Sequence, residues 1–518
     1  MKLVGYIIAA ALALTRICNA LTEYYIDPDY TGTESGTASQ PWQDLDGQWT
    51  TINTSLASDD VTVYFSARDA GSDVHQATTT NIQIERTDAG ANRLTLDGMA
   101  KYNSNDSTPS WSSYSGTSRF QVTATNPVTT QNSATEDRRD YVTVRGIRAI
   151  AVDGQCFYLK SVRNCILEHC YGTSNVGATT GPGVLITYEP NTVANANATK
   201  CQNVTVRNCT IESNYGEGLY VNGPKETSDT HGIGPSNIQI LNNVFIDVGA
   251  RGGEGDSIDI KNYVFDCVVR GNSITGGEIG VTSHSSATIE RNLIITNDGS
   301  GAKSGIRVNN GGASEYATVD SSSLTGAIVR NNIIIDPSGV GVQITSNGDD
   351  APVMDYHQRD ALVENNTIYG GTKCIVVSSE TTGNTINNNI GVESDNQCFD
   401  ADAGTVSTHD YNLFWRTVGG NIVLFAGSNY TAATLTGLEA NSQTTDPAFV
   451  DAGTPYQAHK FKLQAGSDAI ANGLDLSGSF TTDYSGAIRD ATWEIGAWAY
   501  LAELRARRLT AGTLTIGP

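Results

Sequence analysis

The chain has 518 residues, a formal net charge of −23, and 53 glycines against 3 methionines. So acidic a surface excludes nucleic acid as a partner, because phosphate binding needs a basic face. It also repels a polyanionic glycan at long range unless a cation or a local Lys/Arg cluster intervenes.

Residues 1–20 read as a secretory signal peptide. Lys2 supplies a charged start, residues 4–14 an apolar run, and Cys18, Asn19 and Ala20 a small-residue cleavage site. The run is too short to span a bilayer and no other follows it, so the expectation is an exported protein, extracellular or periplasmic, with no membrane insertion. Eight further cysteines follow: Cys156, Cys165, Cys170, Cys201, Cys209, Cys267, Cys374 and Cys398. An even number permits disulfides outside the cytosol, but several stand at apolar-alternating positions where buried thiols serve equally well.

Residues 21–140 are irregular and carry an insertion rich in Ser, Thr, Asn and Trp; they read as an amino-terminal cap and first coils. Residues 141–400 repeat. A pattern of apolar-x-apolar-x-Asn-x-apolar recurs at 203–211, 238–246, 268–274, 288–295, 328–335 and 362–368, with the Asn at 208, 243, 272, 292, 332 and 366, and again at 389. An Asn at a fixed turn accepts the left-handed backbone conformation and can bond its counterpart one coil on, forming a ladder. A second strand follows each Asn segment, at 219–222, 258–261, 279–282, 306–309, 342–345 and 375–378. Alternation turns Ile and Val inward and builds two outward columns. One reads Tyr220, Asp259, Gly280, Arg307, Gln343, Val376; the other reads Asn222, Lys261, Thr282, Asn309, Thr345, Ser378. Residues 401–500 read as closing coils and cap, and 501–518 as a tail. The expected fold is all-β: a single-stranded right-handed parallel β-helix, a solenoid capped at both ends.

Both ends resemble secreted bacterial β-helix proteins: Tyr24 to Pro28 with Gln40-Pro41-Trp42 at the start, and Asp410 to Trp415, Asp446 to Val450 and Glu494 to Ala497 at the close. A sharper likeness lies at 251–261, where Glu254 and Asp256 stand seven and five residues before Lys261. This is similar to the calcium and base motif of family 6 polysaccharide lyases, which include alginate lyases and chondroitinase B. The resemblance implies calcium held by Glu254 and Asp256, and Lys261 as the base. It continues through residues 279–284 and 304–308, with Thr282 where the family carries its arginine and His284 displaced by one position.

The chemistry is coherent. Removing a proton α to a uronate carboxylate adds charge to that carboxylate, which a hard, oxygen-loving cation can offset. Stacking places Glu217 beneath Asp256 as a third ligand. Arg307 suits a bidentate carboxylate clamp, His284 a proton donor, and Tyr220, Asn222, Asp259 and Asn309 contacts to sugar. The expected function is a calcium-assisted β-elimination on an anionic, uronate-containing polysaccharide. The rivals are a β-helical glycoside hydrolase using Asp256 with Asp259 or Glu278, and a non-catalytic glycan-binding or structural solenoid.

Overall fold

The computed structural model describes residues 21–28, 30–66, 74–76, 81–86, 90–103, 110–113, 119–130, 139–174, 181–187, 201–223, 234–248, 256–261, 264–282, 285–296, 303–309, 326–345, 360–379 and 381–500. The expected signal peptide, the tail after residue 500, Glu254, His284 and the loop preceding Asp256 lie outside them. The chain forms two compact units, residues 1–210 and 211–518. The architecture is the expected right-handed parallel β-helix, the hand that parallel crossovers adopt almost without exception.

In residues 1–210 the coils feed three mainly parallel sheets, the opening strand Leu21–Ile26 joining the first alone. The first sheet runs from Leu21–Ile26, paired in register with Asp60–Ser66, through Leu94–Asn103, Val142–Arg145 and Ile166–Glu168 to Gln202–Arg207. An eight-residue helix, Trp49–Leu56, buries Trp49, Ile52 and Leu56, and its Asn53 side chain donates to the Glu85 carbonyl at 3.1 Å. Two buried arginines hold the irregular first coils: Arg139 donates to Ile84 O at 2.9 Å and Arg86 to Tyr141 O at 3.1 Å. Both satisfy carbonyls that would otherwise be orphaned.

Residues 211–518 form three-sheet coils of their own, with tighter repetition. Their first sheet runs from Ser236–Leu241 to Val406–Asp410, their second from Val244–Ile246 to Leu413–Trp415, and their third from Leu219–Asn222 to Asn421–Phe425. The corner between the first and second sheets is left-handed at Asn242, Gly271, Arg291, Asn331, Asn365, Asn388 and Tyr411.

The residue after that corner forms the expected ladder. Asn243, Asn272, Asn292, Asn332, Asn366 and Asn389 each donate Nδ2 to the Oδ1 of the next ladder Asn at 3.0–3.3 Å, ending on Asn412. Asn412 donates to the buried Glu439 at 3.3 Å. Two corrections follow. The left-handed residue and the ladder residue are consecutive positions rather than one. Asn208 has φ +54 and occupies the corner, with Cys209 after it, so Asn208 is not a rung. Cys170 follows its corner residue His169 in the same way. All eight cysteines described are free and buried, which settles the reading in favour of thiols as small core residues.

The later strands of the second sheet are largely apolar on both faces. Ile294, Ile334, Ile368 and Phe414 share one inward column, while Ile333, Ile335, Ile390, Val392 and Leu413 point outward and are still fully buried. Residues 444–498 cover them, with Phe461, Leu463, Ala469, Ile495, Ala497 and Trp498 packed on this face. Side chains at the corners fasten that cover: Asn388 donates to Leu474 O, Asn365 to Glu494 O, Asn331 to Thr482 O and Arg291 to Tyr484 O, all at 2.8–2.9 Å. Among the described residues no helix is long and apolar enough to cross a membrane.

Candidate functional site

The third sheet of residues 211–518 carries the expected columns. Tyr220 pairs with Asp259 and Asn222 with Lys261; Asp259 pairs with Gly280, Gly280 with Arg307, Arg307 with Gln343 and Gln343 with Val376. In the second column Thr282 pairs with Asn309 and Asn309 with Thr345.

Plain alternation from the inward Ile258 and Ile260 would turn Asp256 into the core. A bulge intervenes: Asp256 pairs with Glu278 while Ile258 pairs with Ile279, leaving Ser257 unmatched. The bulge re-aims the Asp256 carboxylate to the outer face, beside Glu278 and Asp259. Gly218 donates its backbone N–H to Asp256 O at 3.0 Å, which places the half-buried Glu217 one strand before Asp256, as the stacking predicts.

Four acids and two cations therefore share the wall. Lys261 Nζ lies 2.8 Å from Asp259 Oδ2 and 5.3 Å from the centre of the Tyr220 ring. Arg307 Nη2 lies 2.8 Å from Glu278 Oε1 and 3.4 Å from Asp256 Oδ2. The Ser304 N–H donates to Glu278 Oε2 at 2.8 Å, and its hydroxyl to Gln343 Oε1 at 3.0 Å. Ser304 and Gln343 thus fix the Glu278–Arg307 pair, a role that nothing in their spacing announces.

Asp259 corrects the expectation of an exposed outward acid, since it is only 1% exposed. Its coil neighbour Gly280 has no side chain to hold it off the sheet. Burial, then the Asp256 charge, push the Asp259 carboxyl up to about 7 against the pull of Lys261. Burial, then Asp256, likewise push Glu278 up to about 8 against Arg307. Burial works against charge on Lys261, but the Asp259 carboxylate outweighs it and holds the ammonium above the usual lysine range. Lys261 is thus a cation in this arrangement, and Arg307 is already clamped on protein carboxylates.

Among the described residues no group of three or more His, Cys, Asp or Glu is set to hold a metal ion. Asp256, expected as a ligand, lies 3.4 Å from Arg307 Nη2. Asp256 and Glu217 alone do not make a calcium site, and Glu254 and His284 lie outside the described residues. The structure brings together Tyr220, Asn222, Asp256, Asp259, Lys261, Arg307 and Glu217, with Asn309 beside them in the second column.

Comparison with known proteins agrees with the architecture. A family model described as a right handed beta helix region matches residues 134–294. No curated protein matches the chain. Among solved structures, XylC in complex with xylose is 10% identical, with a TM-score of 0.52 over 93% of this chain and 98% of that one. The pectate lyase Pel9A is 13% identical, with a TM-score of 0.42 over 94% and 98%. A PL6 family polysaccharide lyase from Pseudopedobacter saltans is 14% identical, with a TM-score of 0.38 over 78% and 94%. At these identities the likeness bears on the fold alone.

Proposed function

We propose that the chain is an exported enzyme that cleaves a uronate-containing polysaccharide by β-elimination along the third-sheet wall of residues 211–518. The observation that supports this best is a pair of partly exposed cations on one wall of an acidic protein. The Lys261 and Arg307 side chains are 31% and 37% exposed, and they stand two strand spacings and two residues apart, about 12 Å. That separation suits two positions along a polymer lying across the strands.

In this reading Arg307 takes the substrate carboxylate in bidentate fashion, leaving Glu278 and Asp256 to share a proton. Lys261 is the base, active in its neutral form once its proton has passed to the Asp259 carboxylate, 2.8 Å away. Tyr220 offers an aromatic surface to a sugar ring, Asn222 and Asn309 hydrogen-bond its hydroxyls, and His284 is the proposed proton donor. Calcium stays a proposed requirement, with Glu254, Asp256 and Glu217 as proposed ligands; when bound it would offset the substrate carboxylate's charge.

The test is incubation with alginate, pectate and chondroitin sulfate, with and without chelator. Unsaturated, ultraviolet-absorbing ends are expected, reduced by about a hundredfold or more in Lys261→Ala. Full activity in that variant would remove the lysine from the reaction, and full activity in chelator would remove calcium.

One observation favours a second reading. Glu278, pushed up to about 8 beside Asp256, has the proton that a glycosidase acid needs at neutral pH. Saturated reducing ends, lost in Glu278→Gln but kept in Lys261→Ala, would establish a hydrolase instead.

A further inference from the structure

The second sheet of residues 1–210 includes the consecutive strands Arg119–Ala124, Ile147–Ala151 and Tyr171–Ser174. Ile147, Ala149 and Ala151 are buried in the core, so alternation turns Arg148 and Ile150 outward. In register, one outward column reads Gln121, Arg148 and Tyr171, and the next reads Thr123, Ile150 and Thr173.

Arg148 differs from its neighbours among the cations. Arg145 is paired with Asp97, Arg163 with Asp140 and Arg207 with Glu168. Arg148 makes no ion pair and no hydrogen bond among the described residues. The Tyr171 ring holds it instead, with its centre 4.7 Å from the guanidinium carbon. Its Nε is sealed, but the side chain is only half-buried, so the Nη end is the part that meets solvent. A second guanidinium stands close by, since Arg119 Nε donates to His169 O at 2.7 Å, two residues before Tyr171.

A guanidinium fixed by a ring rather than by an acid keeps its planar N–H fork for a ligand, and a carboxylate matches that fork with two parallel bonds. Gln121 Nε2 donates to Thr123 Oγ1 at 3.3 Å, which leaves the Thr123 O–H to donate to a neighbouring oxygen. We propose that Arg148, set by Tyr171 and flanked by Arg119 and Thr123, is a carboxylate-binding subsite for an anionic polysaccharide. It is the local basic cluster that such a polymer needs on a chain of net charge −23. It shares the ligand class of the proposed reaction but none of its residues, and it holds polymer without cutting it.

The test is affinity electrophoresis of the full chain in gels containing pectate or alginate, methyl-esterified pectin, or dextran sulfate. Retention by at least one polyuronate is expected, weakened about tenfold in Arg148→Ala. Arg148→Lys, which keeps the charge and loses the fork, should fall most of the way with it. Lys462→Ala, which removes one positive charge from the cap, should match the wild type. Methyl-esterified pectin should not distinguish wild type from Arg148→Ala, because its carboxyls are capped. Circular dichroism checks that each variant folds. Wild-type retention in Arg148→Ala or in Arg148→Lys, or no retention by either polyuronate, would overturn the subsite. Equal Arg148-dependent retention by dextran sulfate would overturn the carboxylate assignment. Binding needs no turnover, so the two proposals fail separately. Arg148-dependent retention without unsaturated products rejects the eliminase and keeps the subsite; unsaturated products with retention indifferent to Arg148 do the reverse.

Discussion

The second and third sheets of residues 211–518 are written in nearly the same strand code, yet their outward faces have opposite fates. On the second sheet the outward columns, from Ile333 onward, are Ile333, Thr367, Ile390 and Leu413, and Ile335, Tyr369 and Val392. They are sealed under residues 444–498. On the third sheet the outward column is Tyr220, Asp259, Gly280, Arg307 and Gln343, and it gathers charge and partial exposure. One wall is closed by apolar surface and held by packing. The other keeps charged groups at a partly exposed face, with Lys261 and Arg307 31% and 37% exposed.

The sharpest way to break the comparison is to open the closed wall. Phe461 is 1% exposed and packs on Ile333 and Ile335, with its ring set edge-on to Tyr369 at 5.5 Å and to Phe449 at 5.3 Å. Phe461→Ala should cost about 4 kcal/mol, the transfer term plus the cavity left behind. Urea unfolding followed by circular dichroism measures it. A loss below about 1 kcal/mol would mean that the cover is not coupled to the coils beneath it.

The next effect belongs to the corner that leads into the closed wall. Asn332 accepts from the Asn292 backbone N–H and from Asn292 Nδ2, each at 3.0 Å, and donates to Ile289 O at 2.9 Å and Asn366 Oδ1 at 3.0 Å. Asn332→Ala strands several buried polar groups at once and should cost about 3 kcal/mol. The same unfolding measurement reads it. Its glycan retention should match the wild type, since the ladder fixes coil register rather than the third-sheet wall.

Much of this was legible in the sequence because stacking in register turns a repeat directly into a contact map. Both outward columns of the third sheet follow from period-two alternation, and so do the rungs Asn243, Asn272, Asn292, Asn332, Asn366 and Asn389. The failures have local causes. Asn stands at both consecutive corner positions at 242 and 243, 331 and 332, 365 and 366, and 388 and 389, so the pattern alone could not tell that Asn208 holds the corner rather than the rung. The runs Ile333–Ile335 and Leu293–Ile295 carry apolar residues on the outward positions as well as the inward one. A segment more than a hundred residues downstream buries the outer face of the first run and partly covers that of the second, which no local period records. At the site, the Ser257 bulge reverses the facing of Asp256, and the missing side chain of Gly280 lets Asp259 sink from the surface. Each is a one-residue departure from a regular strand, and each bears directly on the proposed chemistry.

The smallest expected effect separates the walls by pH. In the folded state Glu278 is pushed up to about 8 and Asp259 up to about 7, against ordinary values near 4 in the unfolded chain. The folded protein therefore binds more protons than the unfolded one between those limits. The stability these groups contribute is fully present below about pH 4 and is lost as pH rises through about 7 to 8. Glu290, on the first sheet, has the opposite sign. Burial opposes its charge, but Arg330 and Arg270 hold it below the usual carboxylate range, so its contribution is lost only in acid, outside this window. Glu278→Gln should flatten the decline of Tm between pH 5 and pH 8. Phe461→Ala should lower Tm by the same amount at both pH values, because the contacts it removes carry no proton. Thermal melts of the wild type and both variants across that range decide the matter. Parallel slopes for wild type and Glu278→Gln would mean that the carboxyl is not held protonated by its surroundings. That result would also remove the physical basis for assigning Glu278 as a glycosidase acid, leaving Lys261 as the remaining candidate for proton transfer on the open wall.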